Sequence, residues 1–64
     1  MKKEKILMKV IDIIDVLHEP VIIKTFMYRR VLFEGFSDDI PEELYNRRIH
    51  LITALNGTFL ILLR

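Results

Sequence analysis

The stretch Arg48-Ile49-His50-Leu51-Ile52-Thr53-Ala54-Leu55-Asn56-Gly57-Thr58-Phe59-Leu60-Ile61-Leu62-Leu63 decides how this chain folds. Asn and Gly both tolerate positive φ, so Asn56-Gly57 between two apolar runs marks a type I′ turn joining antiparallel strands over 48–55 and 58–63. Folding about that turn pairs Leu55 with Thr58, Ala54 with Phe59, Thr53 with Leu60, Ile52 with Ile61 and Leu51 with Leu62. Alternation along the strands then puts Ile49, Leu51, Thr53, Leu55, Leu60 and Leu62 on one face. The other face carries His50, Ile52, Ala54, Phe59, Ile61 and Leu63, so both are mostly apolar.

The segments before this hairpin supply the other elements. Over residues 3–18, Ile6, Val10, Ile13, Ile14 and Leu17 recur at helical spacing, and Pro20 stops the amphipathic helix they predict. Over 21–36 the residue types turn β-branched and aromatic, which predicts two further strands, 21–26 and 31–36. The link between them, Met27-Tyr28-Arg29-Arg30, lacks Gly, Asn and Asp, so this first turn is inferred from its flanks alone. Asp39 followed three residues later by Glu42, with Pro41 between, predicts a capped short helix ending near Asn46. The expected fold is α+β: an N-terminal amphipathic helix on a four-stranded antiparallel sheet of two hairpins with a short helix between them, αββαββ, as one domain over residues 1–64.

Sixty-four residues bury only about 60% of the surface exposed on unfolding, which leaves thin stability. No cysteine is present to add a disulfide or a thiolate metal site. Instead 52% of the residues are hydrophobic and mean hydropathy is +0.29, high for so small a domain. One helix of about four turns covers one side of a four-stranded sheet, and the short helix adds little, so the second apolar face needs a cover. A homodimer or a protein partner is therefore expected, with Ile49, Leu51, Ile52, Phe59, Ile61 and Leu63 as the interface residues.

Ten Lys and Arg against nine Asp and Glu give a net charge of +1, which argues against a bulk field that captures nucleic acid. The start, Met1-Lys2-Lys3-Glu4-Lys5, resembles the charged head of a secretory signal, but Lys9, Asp12 and Asp15 interrupt the apolar core such a signal needs. The apolar run 59–63 is far short of the ~20 residues of a membrane span, so the expected location is cytoplasmic and no membrane partner is expected.

The polar residues admit sharper readings that the sequence does not favour. His18, near the end of the first helix, suits the dipole there, and no Ser, Cys or carboxylate set accompanies it as a catalytic role requires. His50 sits among apolar neighbours without further ligands for a metal. Helix capping accounts for Asp38, Asp39, Glu42 and Glu43, and no phosphate loop or nucleophile elbow occurs. Hence no enzyme, cofactor or metal is expected. Arg29-Arg30 and Arg47-Arg48, near Phe26, Tyr28 and Tyr45, fit phosphate contact and base stacking by a single-strand binder. Charged strand ends that discourage edge pairing are the commoner reason for such arginines.

Three segments, Val31-Leu32-Phe33-Glu34-Gly35, Asp39-Ile40-Pro41-Glu42-Glu43-Leu44 and Asn56-Gly57-Thr58-Phe59-Leu60-Ile61, resemble a family of very short proteins encoded in phages and prophage-like elements of Gram-positive gut bacteria. The resemblance runs over roughly residues 8–64. It implies a mobile-element origin and an accessory role exerted by binding. The relatives carry a Gly, Asp or Asn turn where this chain has Tyr28-Arg29-Arg30, so its first hairpin is expected to differ in shape.

Overall fold

Burial of the most apolar strands orders the sheet in the computed structural model, which describes residues 8–64. Its elements are α1 (Val10–Ile14), β1 (Pro20–Thr25), β2 (Val31–Phe36), 3-10 turns at Ser37–Asp39 and Glu42–Leu44, β3 (Ile49–Leu55) and β4 (Thr58–Leu63). The sheet order is β2-β1-β4-β3. Strands 1 and 4 carry near-continuous apolar runs, Val21-Ile22-Ile23 and Phe59-Leu60-Ile61-Leu62-Leu63, and take the two inner places. Strands 2 and 3 contain Glu34, His50 and Thr53 and lie at the edges.

The fold is α+β with a four-stranded sheet, but the sheet is mixed rather than antiparallel throughout. Each hairpin is antiparallel, and they join through β1 and β4, which run parallel with Val21 opposite Phe59 and Ile23 opposite Ile61. The reason lies in the connection 37–48. It leaves β2 at one edge and end of the sheet and delivers β3 to the other edge and the other end, so β4 returns beside β1 in the same direction. In crossing, it buries Ile40 and Leu44 against the sheet.

The single short helix expected in that connection is two 3-10 turns. Proline disfavours helical geometry in the residue before it, and Ile40 is extended at φ −62°, ψ 129° ahead of Pro41. Asp39 therefore ends the first turn, Glu42 starts the second, and neither turn has a side-chain cap.

Residues 3–7 of the expected first helix lie outside the described residues. Within them α1 is shorter than expected at both ends. Lys9 is extended and bridges Arg48, while the Ile49 amide donates to the Met8 carbonyl (2.8 Å), so this stretch is drawn onto the start of β3. The first free amides of α1 are satisfied by that same connection: Val10 N–H donates to Arg47 O (3.1 Å) and Ile11 N–H to Tyr45 O (3.0 Å). Asp12 Oδ2 accepts from the Lys9 amide at 2.9 Å. Five helical residues have no stability alone, and α1 is held by burying Val10 and Ile13. The chain leaves the helix before His18, which is exposed in the link to β1 rather than at a helix end.

The second hairpin forms the five pairs expected from its turn, with Asn56 at φ 46° and Gly57 at φ 84°. Beyond Leu51 the register shifts and Ile49 pairs with Leu63. This bulge at His50 moves Ile49 onto the face of Ile52, Ile61 and Leu63, against the strict alternation expected for it. The first hairpin closes over Phe26 to Arg29, with Arg29 N–H donating to Thr25 O (2.9 Å). Arg29 takes the left-handed position, φ 55°, that Gly or Asn would ordinarily mark.

One face of the sheet is the core. Val21, Ile23, Ile61 and Leu63 are wholly buried beneath Val10, Ile13, Ile40 and Leu44. Ser37, buried at the edge of this layer, donates its hydroxyl to the Leu17 carbonyl and ties the first 3-10 turn to the segment after α1. No buried side-chain polar atom lacks a partner among the described residues. No helix among them is long and apolar enough to cross a membrane.

Candidate functional site

The strand registers assign the opposite face to Ile22 and Lys24 of β1, Val31, Glu34 and Phe36 of β2, Leu51, Thr53 and Leu55 of β3, and Leu60 and Leu62 of β4. Val31 (51%), Phe36 (58%), Leu51 (48%) and Leu55 (49%) are exposed there, two on each edge strand. Leu62, at 2%, is shielded in the middle. Four of the nine large apolar side chains exposed among the described residues share this face, the others lying on the helix segment and the first turn.

This placement redraws the interface expected from the hairpin. Ile61 and Leu63 are wholly buried and Ile49 is 8% exposed, all three under the helix side. Ile52 and Phe59 are half-buried and pack on the same core. Ile49, Ile61 and Leu63 are thus closed off by burial, and Leu51 alone of the six lies on the open face. The expected interface omits Val31, Phe36 and Leu55, and the orientation of the two on β2 could not be read from composition. Their orientation depends on the register shift at Ile23/Lys24, which leaves Val31 opposite Lys24 and turns Leu32 toward the core.

The charges sort by position. Every lysine and arginine among the described residues lies at the end where β1 and β4 finish and β2 and β3 begin. Lys24 is the next-to-last residue of β1, Arg29 and Arg30 precede β2, Arg47 and Arg48 precede β3, Arg64 follows β4, and Lys9 pairs with Arg48 in an isolated β-bridge. The two arginine pairs thus share one end of the sheet. At the other end stand Glu19 ahead of β1 and Asp38 and Asp39 after β2. Among the described residues the two ends of the sheet thus differ in charge, with Asp12 beside Lys9 the acidic exception at the basic end.

Aromatic groups gather at the basic end. The Phe26 amide donates to the Leu63 carbonyl (2.8 Å), which carries its ring across β4 to His50, centroid to centroid 3.9 Å at 41°. The Arg29 guanidinium lies 5.4 Å from the Phe26 ring centroid. His50 is thus an exposed bulge residue against an aromatic ring, not a histidine among buried apolar neighbours. Met27 (75%) and Tyr28 (85%) project from the turn beside them. A groove of ≈ 290 Å³ lined by Met8, Ile49, His50, Leu51 and Ile52 runs along the start of β3. Asp38, Asp39, Glu42 and Glu43 are exposed on the two 3-10 turns, and no three His, Asp or Glu side chains converge as metal ligands among the described residues.

No protein-family model matches the chain, and no curated protein or solved structure matches it.

Proposed function

We propose that this chain is a protein-interaction module that acts by self-association through its open sheet face. The observation that carries the reading is the set Val31, Phe36, Leu51 and Leu55, each about half exposed or more on one sheet face. A four-stranded face of this length measures about 19 by 20 Å, so its contact area lies below the ~800 Å² per partner of a standard stable interface. Association is accordingly read at micromolar and higher concentrations. In sedimentation equilibrium the full chain is expected to dimerise, and Leu51→Asp or Phe36→Asp to return it to monomer while circular dichroism stays unchanged. A monomer at several hundred micromolar, or dimers untouched by both substitutions, disproves the reading.

A second reading is favoured by the gathering of Arg29, Arg30, Arg47, Arg48 and Arg64 at one end beside exposed Tyr28. Such an end suits a single-stranded nucleic acid, with phosphates on the guanidinium groups and a base stacked on Tyr28. Binding of this kind weakens steeply as salt rises, and the Arg29→Ala/Arg30→Ala variant is expected to elute earlier from heparin and to release single-stranded DNA at lower salt. Unchanged elution of that variant removes this alternative.

A further inference from the structure

The open face is apolar, and the two ends of the sheet that bound it carry opposite charge. Two copies that meet through the same face are related by a two-fold axis lying in the plane of contact. An axis along the strands sets basic end against basic end, where Arg29, Arg30, Arg47 and Arg48 of both copies repel. An axis across the strands instead lays each basic end over the other copy's Glu19, Asp38 and Asp39. The face itself repeats this choice. Within the four strands its charged residues are Lys24 and Glu34, and they stand at different levels, Lys24 beside Val31 toward the basic end and Glu34 beside Ile22 toward the acidic end.

We infer that the occupant of the open face is a second copy of this chain packed antiparallel, with Lys24 of each copy against Glu34 of the other. The inference rests on the self-association reading and adds to it an orientation and a pair of contacts. Lys24 is half-buried on an inner strand, so its charge is held at the face rather than swung clear of it. Because the pair recurs by symmetry, one substitution alters both copies of the contact.

Sedimentation equilibrium of the full chain and its charge variants tests this. Lys24→Glu places two acidic groups in each contact and Glu34→Lys two basic ones, and each is expected to weaken dimerisation roughly ten-fold. An equimolar mixture of the two variants restores opposite charges across both contacts, so heterodimers of near wild-type strength are expected. That recovery separates an intermolecular contact from damage within one chain. Single variants that dimerise like the wild type overturn the orientation while leaving self-association standing, since parallel or edge-to-edge packing is insensitive to them. A wild-type chain that stays monomeric overturns both, and leaves the face to a foreign protein or to residues 1–7. Should a variant fail to fold, the wild type alone still decides. Its dissociation constant is expected to rise between ~0.05 and ~0.5 M salt, and a constant or falling value rejects the antiparallel arrangement.

Discussion

Ile61→Ala is expected to cost the fold a large share of its stability, about 4 kcal/mol. Ile61 is wholly buried on inner strand β4, between Ile23 of β1 and Ile52 of β3 and beneath the helix layer. Truncating such a side chain removes its burial and leaves a cavity that two hydrogen-bonded neighbours prevent from closing, a loss of about 4 kcal/mol. A domain of this length has only about 3–10 kcal/mol in total, at 0.05–0.15 kcal/mol per residue. Urea titration followed by far-ultraviolet circular dichroism measures the loss, with Leu51→Ala as the contrast. Leu51 is on the same hairpin but 48% exposed, and its truncation is expected to cost the monomer under ~1 kcal/mol. Equal losses at the two positions would mean that the core does not lie on the Ile61 face.

The second large effect is expected at Gly35. Its φ of 156° is a conformation that residues with a Cβ rarely adopt, and an added Cβ would stand 3.1 Å from Cζ of Phe33. Phe33 packs against the core, so its ring does not swing aside freely. Backbone strain and the displaced ring together put Gly35→Ala at about 2 kcal/mol. Gly57→Ala gives the reference, because Gly57 also has positive φ (84°) but nothing within 4 Å of the added atom, which leaves about 1 kcal/mol of strain alone. Shortening the ring in Phe33→Leu/Gly35→Ala is expected to recover the difference, read as a coupling energy in a double-mutant cycle. No coupling would place the whole penalty in the backbone.

These positions show what was legible before the structure. The second hairpin was legible from its turn out to the Leu51–Leu62 pair, because Asn56-Gly57 sets both turn and register. The first was legible only as two strands. Its turn puts Arg29, an unmarked residue, in the left-handed conformation, and its bulge at Ile23/Lys24 follows from no local composition. A bulge also defeated the face assignment near His50, since one extra residue inverts every position beyond it. That inversion moved Ile49 into the core and left Leu51 as the shared element of the expected and observed surfaces. The parallel pairing of β1 with β4 depends on where the connection 37–48 crosses, which is a tertiary fact. Pro41 fits the first turn of one short helix, but the extended Ile40 ahead of it divides the segment into two turns. The charged ends were out of reach for the same reason, because Lys9, Arg29 and Arg64 are distant in the chain and meet only once strand order is set.

Each hairpin closes locally, but the two halves of the sheet are stitched by a single parallel seam between β1 and β4. Local hairpins form in about 1–10 μs, whereas this seam brings together residues nearly forty positions apart, such as Val21 and Phe59. The rate of folding is therefore governed by the docking of two ready-made ribbons, and until they dock each exposes a bare inner strand edge to any other copy nearby. Crowding during synthesis would then favour exchange of ribbons between neighbouring molecules, an entangled product built from the same hydrogen bonds as the native one.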